Sequence, residues 1–158
     1  MDAKVTKLFF DTDRVMQAVD AKNRRALSRV GAFIQRRSRS SLRRRKKTSP
    51  AGKPPSVHSN AKFETLKNIL FVYEPKTQSV VVGPVRTNER NATAVPNLHE
   101  FGGSTVIRRR GTRNRPATVR RVRYPARPFM GPAFDKELQE GTIPRAWAGP
   151  LGSVSAGP

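Results

Sequence analysis

The sequence predicts an α+β fold: a long N-terminal helix packed on a small antiparallel sheet, with a basic hairpin arm and a short C-terminal helix. Three observations carry this. Apolar residues recur at three- and four-residue steps from Val15 to Leu42, the period of one helix face. Two runs rich in β-branched residues, 68–74 (NILFVYE) and 79–85 (SVVVGPV), flank the four-residue connection PKTQ, the pattern of a hairpin. Helical and strand signals are segregated along the chain rather than alternating, which favours α+β over a parallel α/β arrangement.

The first element is a helix over 14–44. Val15, Met16, Val19, Ala26, Leu27, Val30, Phe33, Ile34 and Leu42 form its apolar stripe, and Arg24, Arg25, Arg29, Arg36, Arg37 and Arg39 fill the other faces. No proline interrupts it, Gly31 is its weak point, and Asp11 and Asp13 precede it as acids suited to a helix N-terminus. Asp20 and Arg24 are spaced to add a weak i,i+4 pair. Residues 45–60 form a loop, because Pro50, Pro54 and Pro55 forbid helix and Gly52 supplies a turn. One short helical turn over 61–67 leads into the 68–74/79–85 hairpin. A polar loop over 86–94 precedes a helical or turn segment, Val95–Phe101, ended by Gly102 and Gly103. Residues 105–110 and 117–124 form a second hairpin around GTRNRP, stopped by Pro125 and Pro128. A last helix over 132–140 has proline at its start. From Gly141 the chain is rich in Gly, Pro, Ser and Ala, so the expected layout is one domain over 1–140 and a flexible tail over 141–158.

Composition narrows the function. The chain has 158 residues, a formal net charge of +21 and only 35% hydrophobic residues. Self-repulsion at that charge weakens a compact monomer, so a small core stabilised by an anionic partner or by assembly is expected. The charge falls in two blocks: residues 1–47 carry +11 and 104–127 carry +9, while 48–103 carry +2 and 128–158 carry −1. The core therefore comes from the near-neutral middle and one face of the first helix. The absence of cysteine excludes a disulfide framework, a thiolate zinc site and a cysteine nucleophile. No apolar run approaches the roughly 18 residues of a membrane span. The first residues lack the apolar stretch of a secretory signal, so none is expected. His58 and His99 are the only histidines, the acids are scattered, and no dinucleotide, P-loop or nucleophile-elbow pattern is present. The chain reads as a non-enzyme without cofactor or metal.

The candidate contact residues are cations. Arg43, Arg44, Arg45, Lys46 and Lys47 are consecutive, and the arm adds Arg108, Arg109, Arg110, Arg113, Arg115, Arg120, Arg121 and Arg123. A run at a helix end is commonly just a solvated face. The arm, with no acid between 104 and 127, favours contact with phosphate or with an acidic partner. Only Tyr124 accompanies these cations, so stacking on single strands is disfavoured and the backbone of a duplex fits better. Elsewhere packing is the expectation. Val30, Phe33 and Ile34 should seat the first helix on Ile69, Phe71, Val80 and Val82. Leu98 and Phe101 should pin their segment to the core. Phe129 is an apolar anchor after Pro128, and Arg127 is a candidate ion-pair partner for Glu100, against the alternative of a solvated cation.

Four motifs occur in order: SPAGKPPSV at 49–57 (with Gly52, Pro54 and Pro55), SVVVGP at 79–84 (Gly83, Pro84), LHEFGG at 98–103 (Glu100, Phe101, Gly102) and ARPFMGPAFD at 126–135 (Arg127, Pro128, Phe129). In this order, over about residues 14–140, they resemble the head–tail joining and tail-completion ("neck") proteins of long-tailed phages. The chain departs from that pattern at Val95-Pro96-Asn97 and in the length and charge of its basic arm. The resemblance implies a structural virion protein forming a ring in the connector, with six copies expected and twelve the alternative. It implies neighbouring connector and tail proteins and non-specific duplex DNA as partners, no membrane, and assembly in the host cytoplasm. The competing expectation is a general nucleic-acid-binding protein of ribosomal or nucleoid type.

Overall fold

The computed structural model describes residues 11–57, 66–85, 94–111 and 116–148. The first helix, α1 (Thr12–Ser41), begins where Asp11 accepts a hydrogen bond from the Arg14 amide at 3.1 Å and Asp13 adds negative charge to the first turn. It ends at Ser41, three residues before the expected limit. Leu42 turns out of the helix and is fully buried with Ile69 and Phe129. Beyond it the Arg43 carbonyl accepts the Val57 amide at 3.1 Å, and Arg44 and Val57 form an isolated parallel bridge. The bridge needs extended backbone, so the cationic run Arg43–Lys47 lies in a closed loop and is not a helix end.

Two antiparallel hairpins follow, and they do not share a sheet. Strands β1 (Ile69–Glu74) and β2 (Ser79–Pro84) pair with Phe71 opposite Val82 and Tyr73 opposite Val80. Strands β3 (Gly103–Arg109) and β4 (Thr118–Tyr124) pair with Gly103 opposite Tyr124 and Arg109 opposite Thr118. Helix α2 (Ala94–Phe101) joins the hairpins, and α3 (Gly131–Gln139) and α4 (Thr142–Arg145) close the described chain. The α+β class is as the segregated signals predict. The 61–65 part of the expected helical turn, the loop 86–93, the arm tip 112–115, His58 and the tail 149–158 lie outside the described residues.

The core has two centres joined by Val82 and Met130, which pack against both. In one, Ala26, Val30 and Ile34 of α1 meet Ala146, with Ile143 and Trp147 alongside. In the other, Leu42, Ile69 and Phe129 are essentially inaccessible. Gly31 sets the distance between α1 and the first hairpin: a Cβ there would fall 2.8 Å from both Phe71 and Val80. The expected weak point of the helix is thus its closest approach to the sheet. Gln35 Nε2 donates to the Ile69 carbonyl at 2.6 Å, tying the same surfaces together.

Three packing expectations need correction. Phe33 is only half-buried and belongs to neither centre, because the glycine two residues earlier brings Val30 and Ile34, not Phe33, over the hairpin. Phe101 does not pin α2 to the core; it is 79% exposed, at the point where the helix ends. The tail does not begin at Gly141. Residues 142–145 are helical and Ala146 is buried on α1, because Ile143, Ala146 and Trp147 recur at helical spacing and present one apolar face. Trp147 Nε1 donates to Asn23 Oδ1 at 3.2 Å, and Asn23 Nδ2 donates to Gln78 Oε1 at 2.6 Å in the turn of the first hairpin.

Candidate functional site

The β3–β4 arm touches the rest of the molecule chiefly at its base, through α2. What holds that base is a carboxylate. Glu100, the next-to-last residue of α2, reaches across the arm's two ends. Its Oε2 accepts the amides of Phe129 and Met130 at 3.0 and 3.1 Å, and its Oε1 accepts the Gly131 amide at 2.7 Å. These are the free amides at the start of α3, whose own N-cap residue, Met130, supplies no side-chain cap. A carboxylate there is favoured by hydrogen bonding and by the helix dipole together. The sequence offers Glu100 as a candidate partner for Arg127, against a solvated Arg127, and the structure has neither. Glu100 instead caps a helix from a distance, and the Arg127 side chain donates to the Ser49 carbonyl at 2.9 Å. The physical reason is local. Pro128 and the turn into α3 aim three consecutive amides at one point, and a carboxylate accepts all three, whereas one guanidinium would leave them unsatisfied.

The rest of the base is backbone. The Arg127 amide donates to the His99 carbonyl at 2.6 Å, and the Gly52 amide donates to the Ala126 carbonyl at 2.8 Å. Gly102 is required twice over: its φ is +71°, and a Cβ would lie 2.9 Å from the Ala126 nitrogen. Burial, and next the neighbouring Arg127, push the His99 imidazole below its ordinary pKa, and its Nδ1 is buried without a partner among the described residues. Three of the four sequence motifs thus converge on the arm's base: Ser49 and Gly52, Glu100 and Gly102, Ala126 to Gly131. The fourth joins through β2, where Pro84 pairs with Ile69 beneath Phe129. Pro55 is buried and Pro54 half-buried in the loop, and Gly83 lies opposite Leu70.

The cations divide by place. Arg43, Arg44, Arg45, Lys46 and Lys47 are all exposed, in the loop whose far side (Ser49, Gly52) is bonded to the arm's base. Arg108, Arg110, Arg120, Arg121 and Arg123 are exposed along the arm. Arg109 is placed by its register opposite Thr118; its side chain, and Arg113 and Arg115 entirely, lie outside the described residues. Two cations behave otherwise than the sequence suggests. Arg37, expected on a wet face, donates to Glu137 at 2.5 Å and to Glu140, joining α1 to α3; Glu137 above all, and Glu140 with it, hold its pKa above the ordinary value. Arg24 stands 5.8 Å from the centre of the Tyr73 ring. The sequence signal for the Arg37 pair was weak: Glu137 on α3 and Glu140 at its C-cap are spaced i,i+3, but nothing local points them to residue 37.

Among the described residues no three His, Asp or Glu side chains gather as a metal site, and no helix is long and apolar enough to cross a membrane. Several apolar surfaces remain uncovered by described residues, among them Phe134 and Leu138 on α3 and two larger groups. On the first hairpin, Leu70, Val72 and Val81 face away from α1, the two valines 63% and 64% exposed. On α1, Val15, Met16 and Val19 extend the apolar stripe beyond the body. No family model, no curated protein and no solved structure matches this chain.

Proposed function

We propose that this chain is a structural virion protein of a long-tailed phage, forming a ring in the head–tail connector around the DNA channel. The observation that carries the reading is the convergence of the four motifs: dispersed over 87 residues of sequence, from 49 to 135, they form one connected base for a protruding cationic arm. A ring subunit needs such a base, because an arm presented to a channel must be held at a fixed angle by the body. The uncovered apolar surfaces at Leu70, Val72 and Val81 and at Val15, Met16 and Val19 support self-assembly, since patches of this kind mark contact surfaces. The two differ from each other, as a head-to-tail ring interface requires. The high positive charge suits a channel that tolerates duplex DNA without reading its sequence. In this reading six copies surround the channel, neighbouring connector and tail proteins are the other partners, and the work is assembly rather than catalysis.

Deleting the gene from its phage genome tests this. DNA-filled heads and separate, unjoined tails are the expected result. Normally joined, infectious particles overturn it. The cationic arm also favours a second reading, a general nucleic-acid-binding protein. That reading predicts a monomer that co-purifies with RNA and releases it at high salt, with no ordered ring in electron micrographs.

A further inference from the structure

The register of the arm sorts its side chains onto two faces. One face carries Thr105, Ile107, Arg120, Val122 and Tyr124. Thr105, Val122 and Tyr124 on it are half-buried. At the base of this face Gly103 lies against α2, where a Cβ would meet Leu98 at 3.2 Å. The other face carries Ser104, Val106, Arg108, Val119, Arg121 and Arg123, and every one of these is exposed. Val119 is 70% exposed, although it sits in the middle of the strand pairing. The arm therefore has a body-side face, covered by α2 at its base, that holds the half-buried residues of its strands, and an outer face on which each of three arginines lies opposite a small side chain.

We infer that the outer face, through Arg108, Arg121 and Arg123, is the surface that binds the phosphate backbone of duplex DNA. The inference rests on the nucleic-acid part of the proposed function and not on ring formation. Arg121 and Arg123 are two residues apart on one strand, roughly 7 Å, close enough for their guanidinium groups to engage neighbouring phosphates of one DNA strand, which carries one negative charge per roughly 3.4 Å of helix axis. Arg108, paired with Val119, lies diagonal to Arg121 and extends the stripe. No acid occurs anywhere between residues 104 and 127 to neutralise these cations within the arm. Ser104, Val106 and Val119 are short enough to let a phosphodiester chain approach the sheet while the longer guanidinium groups reach around it. The single aromatic of the arm, Tyr124, belongs to the opposite face, so the outer face offers no platform for unstacked bases. A duplex backbone is the ligand this surface fits; a single strand or an acidic protein surface fits it less well.

Salt dependence of binding to a short labelled duplex of arbitrary sequence, measured with the full chain between about 50 and 200 mM salt, tests the assignment. Each phosphate contact contributes about 0.9 to the slope of log K against log salt, so the combined R108Q, R121Q and R123Q variant should lower that slope by about 2.7. R120Q, on the body-side face, should leave it unchanged. Adding a cation supplies the converse and does not depend on the triple variant folding: Ser104→Arg should raise the slope by about 0.9, and Thr105→Arg should not. An unchanged slope in the triple variant, or an equal loss in R120Q, overturns the assignment and points to a protein partner for this face. Tighter binding of a single strand than of the duplex at equal salt also overturns it. Ring formation is scored separately by mass and electron microscopy, so the failure of either idea is visible without the other.

Discussion

The two hairpins of this protein have the same architecture and opposite fates. In β1–β2, residues alternate so that Ile69, Phe71, Tyr73, Val80 and Val82 face α1, and the pair is held by packing. In β3–β4, alternation yields two faces of which neither enters a core centre among the described residues; the pair is held by its own ladder and by the clamp at its base. An isolated two-stranded hairpin is at best marginally stable in water. The first hairpin overcomes this with a helix across one face. The second overcomes it by fixing both of its ends to one carboxylate, which leaves nearly all of its surface free for a partner. Hydrophobic burial builds the body, and hydrogen bonding to Glu100 aims the arm.

The largest effect should come from removing what the two regions share. Phe129 links the end of the arm to Leu42 and Ile69, and Phe129→Ala should cost about 3–5 kcal/mol in denaturant unfolding. The half-buried Phe33, truncated in the same way, should cost clearly less, and equal losses would contradict the two-centre core. Next in size is the clamp. Glu100→Ala strands three amides at the start of α3 and should cost about 1–3 kcal/mol. If the clamp aims the arm, amide exchange in β3 and β4 should accelerate more than in β1 and β2; uniform acceleration would make Glu100 an ordinary stabiliser.

A much smaller change is expected on the arm's surface. Replacing Arg108, Arg121 and Arg123 together by Gln should leave the unfolding free energy within about 0.5 kcal/mol, because exposed substitutions away from caps and cores rarely exceed that. A large loss there would mean that the arm is packed on the body after all. The smallest effect concerns pH. His99 has a pKa lowered in the folded chain, so the unfolded chain binds its proton more readily. Stability from this group is fully present above the unfolded value, near 6.5, and declines as pH falls below it toward the folded value. The melting temperature should therefore drop slightly between neutral and mildly acidic pH, and His99→Gln should flatten that part of the profile.

Much of this layout was legible in the sequence because it is local. The 3.6-residue period of α1, the two strand pairs and the proline-led start of α3 each follow from residues within a few positions of one another. Asp11 was recognisable as a helix-start residue for the same reason, and it does cap α1. The segregation of charge into two blocks was also there to be counted. The sequence by itself thus determined the elements as far as α3, their order and the cationic character of the arm.

The tertiary structure decided the partners. Glu100 and Arg127 were singled out for each other by charge, yet Glu100 turned to the amides of residues 129–131 and Arg127 to the Ser49 carbonyl, because backbone donors and acceptors carry no sequence signature. Arg37 looked like any other arginine of α1 until α3 brought Glu137 and Glu140 to it across 100 and 103 residues. The residues after Gly141 looked loose from their Gly and Pro content, but burial on α1 organised Ile143, Ala146 and Trp147. Even the two faces of the arm, implied by alternation, became unequal only when α2 covered the base of one and left the other to solvent. Local preference is written in neighbouring residues, whereas the choice among many possible acceptors for one charge is made by whichever backbone the fold brings within about 3 Å.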